Sequence, residues 1–246
     1  MNAPAPPLSI AHVSKRHGAV LALDDVSLSV EPSRWLALVG ESGAGKSTLL
    51  RCINRLDELD AGRIAIGGCD VRERDPVDLR RATGYVPQEG GLLPHWSVRR
   101  NVALVPWLNG TSDGGLADRA LELVGLDPRS VGDRWPHELS GGQRQRVAVA
   151  RALAGGQSLL LLDEPFGALD AITRSDLQRM LARLRERRPL TVVLVTHDLR
   201  EALLLADAVA VLRAGRLEQV APPEVLHTAP ATPYVAELLG RVVGGP

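Results

Sequence analysis

The chain has 246 residues, enough for one large domain or one domain with a sizeable insertion, and 45% of them are hydrophobic, ordinary for a packed core. Its 29 basic and 29 acidic side chains cancel, so no global charge draws it to nucleic acid. No apolar run reaches the ~18 residues of a membrane-crossing helix, and the two cysteines, Cys52 and Cys69, make neither a C-x-x-C pair nor a disulfide framework, as expected of a reducing cytosol.

The N-terminus, Met1-Asn2-Ala3-Pro4-Ala5-Pro6-Pro7, lacks the basic and apolar parts of a signal peptide and predicts a disordered tail over 1–7. Leu8–Val13 reads as a first strand. Leu21–Leu23 follows a short turn, and Val26–Val30 alternates like a second, half-buried strand. Past Asp60-Ala61-Gly62, Arg63–Ile66 continues what reads as an antiparallel β layer beside a nucleotide-binding core. Tyr85-Val86 is a short buried strand ending at Pro87-Gln88. The stretch from about 89 to 155, interrupted by Gly110, Gly114-Gly115 and Asp127-Pro128, predicts an inserted helical subdomain. Leu159–Leu162 and Leu190–Val195 are apolar strands separated by an arginine-rich helix, and this alternation implies a mainly parallel core sheet. A hairpin over Val209–Val220 and two short helices, about 223–227 and 233–240, close the chain. With one Phe and two Tyr, the core is expected to be aliphatic.

The chain is organised around Gly40-Glu41-Ser42-Gly43-Ala44-Gly45-Lys46-Ser47-Thr48, between the apolar run Trp35–Val39 and Leu49–Ile53. Strand, glycine loop and helix in this order make a P-loop, G-x-x-x-x-G-K-S. Glycines bring backbone N–H groups against phosphate oxygens, and the positive end of the helix points at the same place. Lys46 reaches the β- and γ-phosphates in such a loop, and the Ser47 hydroxyl sits on Mg²⁺. Only Lys15 and Lys46 among the 29 basic residues are lysines, yet a lysine fills the phosphate position. A compact ammonium fits inside the loop where a planar guanidinium does not.

Leu159-Leu160-Leu161-Leu162-Asp163-Glu164 is a buried strand with two carboxylates at its C-terminal end, where open α/β sheets bind ligands. Asp163 would hold Mg²⁺ directly or through water, and Glu164 would orient and deprotonate the water attacking the γ-phosphorus. A third element, Leu139-Ser140-Gly141-Gly142-Gln143, leads into a helix that Ser140 caps. It is a second anion-binding helix start, and two glycines follow the cap where they weaken a helix.

Together these residues are similar to the ATP-binding subunits of ABC transporters. Leu139 to Gln143 reproduces the family signature Leu-Ser-Gly-Gly-Gln, Gly40 to Ser47 resembles its Walker A and Leu159 to Glu164 its Walker B. Gln88 falls at the Q-loop, Ala168-Leu169-Asp170 at the D-loop and His197 at the switch histidine, in the family's order, with the domain over 8–246. The resemblance implies an α/β P-loop NTPase fold and hydrolysis of ATP with Mg²⁺. It also implies a head-to-tail homodimer with ATP between the P-loop of one subunit and Ser140-Gly141-Gly142 of the other. Gln88 would touch Mg²⁺ and the attacking water, His197 would hold the γ-phosphate, and Asp170 would reach the opposite P-loop. Where the family stacks an aromatic on adenine, this chain has Lys15-Arg16-His17-Gly18, which leaves His17 or Arg16 for the base.

Ile53–Leu56, Asp75–Arg80, Gly91–His95, Asn101–Pro106 and Trp135–Glu138 resemble importers of glycine betaine, choline and related osmoprotectants. That resemblance implies integral-membrane permease partners at the cytoplasmic face of the membrane and a substrate-binding protein engaged indirectly. The apolar run Leu92–Val98 suggests a groove for that permease. The alternatives are an ATPase subunit of another importer (amino acid, taurine or nitrate), an exporter subunit, or a soluble non-transport ABC ATPase. A single cassette and zero net charge disfavour the last, and no nucleic-acid partner is expected.

Overall fold

The computed structural model describes residues 5–111, 113 and 115–243. In chain order the elements are β1 (Leu8–His17), β2 (Val20–Val30), β3 (Trp35–Val39), α1 (Lys46–Ile53), β4 (Ala61–Ile66), β5 (Cys69–Asp70), α2 (Pro76–Ala82), β6 (Thr83–Val86), α3 (Val98–Val102), α4 (Leu104–Leu108), α5 (Gly115–Leu123), α6 (Pro128–Val131), α7 (Gly141–Leu153), β7 (Leu159–Asp163), α8 (Ala171–Arg187), β8 (Thr191–Val195), α9 (Leu199–Leu205), β9 (Ala208–Arg213), β10 (Arg216–Ala221), α10 (Pro223–Thr228) and α11 (Pro233–Val243). Contacts gather them into two compact units, one of residues 80–190 and one of 6–79 with the chain from 191 onward.

The second of these units holds two β layers. β3 lies between β8 and β9, parallel to both, and β10 pairs antiparallel with β9. Every residue of β3 and β8 is buried, which is why both read as unbroken apolar runs rather than alternating ones. Ala37 and Val39 of β3 pack with Val209 and Val211 of β9, Ala202 of α9 and Val235 of α11. The other layer is antiparallel, in the order β2-β1-β4-β5. β2 runs unbroken over Val20–Val30, joining Leu21–Leu23 to the half-buried strand expected over Val26–Val30. Polar Asp24-Asp25 breaks the alternation as an irregularity inside the strand, with Asp25 at φ 56° and its N–H donating to Ser14 Oγ at 3.1 Å. Of the tail expected over 1–7, residues 1–4 lie outside the described residues. The Pro6 carbonyl accepts from the Thr191 hydroxyl at 2.7 Å, and the Pro7 carbonyl from the Gly67 N–H at 2.9 Å.

In the unit of residues 80–190, β6 and β7 pair in parallel, Thr83 opposite Leu159 and Val86 opposite Leu162. Helices α3 to α7 fill the sequence between these strands, within the stretch where a helical insertion is expected. α7 packs against β6, α3 and α5. Fully buried Asn101 pins the segment before α3: its amide donates to the Leu93 and Trp96 carbonyls and its oxygen accepts from the Leu93 N–H at 2.8 Å. The core is aliphatic except for three buried aromatics, Trp35 and Tyr234 in one unit and Phe166 in the other. Among the described residues no helix is long and apolar enough to cross a membrane.

Candidate nucleotide-binding site

β3 delivers the chain to the P-loop at the C-terminal edge of its sheet, and α1 begins at Lys46. Gly45, at φ 99°, supplies the left-handed turn into the helix, and a Cβ there would lie 2.3 Å from the Ala22 carbonyl oxygen. Both the conformation and the approach of β2 exclude any other residue. No side chain caps α1 and no acidic residue stands in its first turn, so its N-terminal N–H groups and dipole face the loop. Lys46 is 4% exposed, and its Nζ donates to the Gly40 and Glu41 carbonyls at 2.8 and 2.9 Å. A cation thus held over an uncapped helix start by the loop's own carbonyls is a site built for a polyanion.

His197 follows β8 in the same unit and shares a recess of about 410 Å³ with Gly40, Glu41 and Ser42. Its backbone is fixed by its neighbours. The Thr196 N–H donates to the Leu38 carbonyl at 3.1 Å, the Thr196 hydroxyl donates to the carboxylate of buried Glu201, and the Asp198 N–H donates to Thr196 Oγ1 at 3.0 Å. Asp198 then caps α9. His17 ends β1, where β1 pairs with the part of β2 that carries Ala22 over the P-loop. Its Nε2 lies 4.0 Å from Asp57, while Arg16 donates to the Ala19 carbonyl at 3.4 Å.

Residues 80–190 carry the other predicted groups. Asp163 ends buried β7 at 7% exposure, and Glu164 follows in the left-handed region at φ 44°. A non-glycine residue held there stores roughly 1–3 kcal/mol of strain, of the kind found where a side chain is aimed for use. Gln88 Nε2 donates to Glu164 Oε2 at 3.4 Å, which brings the Q-loop and Walker B positions together. The turn beyond Gln88 is tied to α7: Arg151 donates to the Gly90 and Gly91 carbonyls at 2.8 and 2.7 Å. Burial holds the Arg151 guanidinium below its ordinary pKa.

Ser140 caps α7 through a capping box, with the Gln143 N–H donating to Ser140 Oγ at 3.2 Å and the Ser140 N–H to Gln143 Oε1 at 3.0 Å. The Gln143 side chain therefore serves its own helix end. The glycine at 142 has a packing reason: a Cβ there would lie 2.3 Å from Thr173 Cγ2, so α8 requires it. Asp170 caps α8 in turn. Its carboxylate accepts from the Thr173 hydroxyl at 2.6 Å and from the Ile172 and Thr173 N–H groups, and these bonds, the hydroxyl first, hold it below the usual carboxylate range.

Glu201, Arg151 and Thr173 were not singled out from the sequence. Only Thr173, at the Asp-x-x-Thr spacing of a cap, leaves a local signal. Among the described residues no group of three or more His, Cys, Asp or Glu side chains gathers to hold a metal.

The ABC transporter profile matches residues 23–167. The choline transport ATP-binding protein OpuBA of Bacillus subtilis (strain 168) is 44% identical over 95% of this chain, which spans 62% of that protein's length. The glycine betaine uptake system ATP-binding protein YehX of Escherichia coli (strain K12) is 45% identical over 95% of this chain and 77% of its own. Among solved structures, a dimeric ATP-binding cassette in a post-hydrolysis state bound to ADP and Pi superposes with a TM-score of 0.78 at 32% identity, covering 88% of this chain and 98% of that one. A profile matching more than half of the sequence, relatives at this identity and the geometry around Lys46 converge, and the chain belongs to the ABC transporter family.

Proposed function

We propose that this chain is the ATP-binding and hydrolysing subunit of an ABC importer, and that its cargo is an osmoprotectant of the quaternary-ammonium class. The observation that carries the nucleotide reading is the buried Lys46 ammonium, held over the uncapped start of α1. The cargo class rests on the choline and glycine betaine transport proteins to which the chain is similar.

In this reading the α1 N-terminus and Lys46 bind the β- and γ-phosphates, and His197, in the recess at Gly40, meets the γ-phosphate. Glu164 orients the attacking water and takes its proton, and Gln88, bonded to that carboxylate, reports the nucleotide state. The Ser47 hydroxyl, the buried Asp163 carboxylate and the Gln88 amide oxygen are hard oxygen donors with a single charge among them. That set suits Mg²⁺, which keeps waters and substrate phosphates as its remaining ligands. Bound Mg²⁺ would neutralise charge on the β- and γ-phosphates. His17 or Arg16 would lie against the base.

Ser140, which is exposed, and the Gly141-Gly142 start of α7 would face nucleotide held by a second copy, and Asp170 would reach the same junction. The dimeric cassette with ADP and Pi supports this arrangement. The chain would work at the cytoplasmic face of the membrane, bound to permease subunits there and linked through them to a substrate-binding protein. Phosphate release from Mg-ATP by the purified chain tests the enzyme reading. Uptake of labelled glycine betaine or choline by the complete transporter, lost with Lys46→Ala, tests the cargo.

A further inference from the structure

α8 places Arg179, Arg183 and Arg187 four residues apart, on one face. Like charges at this spacing repel one another along a helix, and the negative end of the helix dipole offsets only the last of them. α7 adds a fourth guanidinium to the same face, Arg146. The four arginines line a recess of about 410 Å³, with Asp176 and buried Met180 also in its wall.

Arg146 is fixed rather than solvated. It donates to the Val124 carbonyl at 3.4 Å and the Asp176 carbonyl at 3.3 Å, and both acceptors are uncharged backbone. Asp176 is occupied by Arg179. Arg146, Arg183 and Arg187 have no carboxylate partner among the described residues, and the undescribed positions of the sequence carry no acidic side chain. One carboxylate against four guanidiniums leaves three positive charges around a concave wall.

We propose that this recess is a second anion site, separate from the P-loop, for a compact multivalent phosphate-class ligand. Guanidinium forks from two helices suit the bidentate geometry of phosphate oxygens, and the ligand's charge would relieve the repulsion along α8. The volume admits a pyrophosphate or a small phosphate ester, whose organic part would meet Met180.

The test silences the P-loop with Lys46→Ala and titrates sodium pyrophosphate into the full chain by calorimetry. Saturable one-to-one binding is expected, weakened at least tenfold by adding Arg183→Gln and Arg187→Gln. Both side chains are exposed, so the fold should tolerate the change. An assay without these variants is protection from phenylglyoxal, mapped by mass spectrometry on the Lys46→Ala protein: pyrophosphate should shield Arg146, Arg183 and Arg187. Cosedimentation with phosphatidic acid vesicles that pyrophosphate competes away would assign the same chemistry to a lipid headgroup. Absence of saturable binding, binding indifferent to the two glutamines, or vesicle binding that pyrophosphate leaves intact would overturn the proposal.

Discussion

The side-chain amide of Gln88 donates to Oε2 of Glu164 at 3.4 Å across 76 positions of sequence. Gln88 lies two residues past β6 and Glu164 directly follows β7, and the parallel pairing of those strands sets their ends side by side. The bond couples the proposed general base to the residue proposed to sense the nucleotide. Glu164→Gln should therefore keep ATP binding while lowering hydrolysis at least about a hundredfold, the usual cost of removing a general base. Size-exclusion chromatography with Mg-ATP should show the variant at twice the monomer mass. Near-normal turnover would move the base role elsewhere, His197 first.

Lys46→Ala should abolish nucleotide binding and not chemistry alone, because it removes the charge beside the loop carbonyls of Gly40 and Glu41. Lys46→Arg should do little better, since a planar fork does not fit where the residue is only 4% exposed. Equilibrium binding of a fluorescent ATP analogue reads both. An arginine variant that binds normally would defeat the steric argument.

The signature acts in trans in the proposed dimer. Ser140→Arg and Lys46→Ala should each be inactive alone, yet mixing them should restore part of the ATPase activity, because a mixed dimer has one composite site free of lesions. Recovery should rise with protein concentration, as weak dimerisation demands. Zero activity at every ratio, with dimers shown to form, would place Ser140 in its own subunit's site.

Glu201 is 4% exposed, accepts from the Thr196 hydroxyl and so fixes the residue before His197. Glu201→Ala should lower kcat by about ten- to a hundredfold, the scale of a small misplacement, while ATP affinity stays near that of the parent. Glu201→Gln keeps an oxygen acceptor for the hydroxyl and should recover most of the loss. Equal losses for both variants would mean that the carboxylate does more than hold Thr196.

Cys52, fully buried on α1, has its thiol pushed up to about 12, first by burial and then by the charge of Asp57. The shift is upward, so the thiol stays protonated and unreactive through neutral and mildly alkaline pH, and its thiolate forms only near pH 12. Iodoacetamide at pH 8 should alkylate half-buried Cys69 and spare Cys52 until the chain is unfolded. Equal labelling of the native protein would show that α1 opens.

What the sequence determined by itself is what the chain encodes within a few bonds. The P-loop is a run of nine residues whose glycines, lysine and hydroxyls act through adjacent backbone, and Asp163-Glu164 needs only an apolar strand before it. The antiparallel layer, the parallel core strands and the C-terminal hairpin follow from period and turn residues in the same way. Tertiary structure decided whatever depends on residues distant in sequence. Asp25 became an irregularity inside β2 because Ser14 of β1 lies opposite to receive its N–H. Gly142 is required by Thr173 of another helix, and Arg151 holds the turn at Gly90 from 61 positions away. The arginine-rich helix legible in the sequence lines a recess only because the fold sets Arg146 of α7 beside Arg179, Arg183 and Arg187. Side-chain chemistry and backbone period are local properties, whereas burial and charge pairing exist only once two distant segments meet, and no single-sequence pattern carries that information.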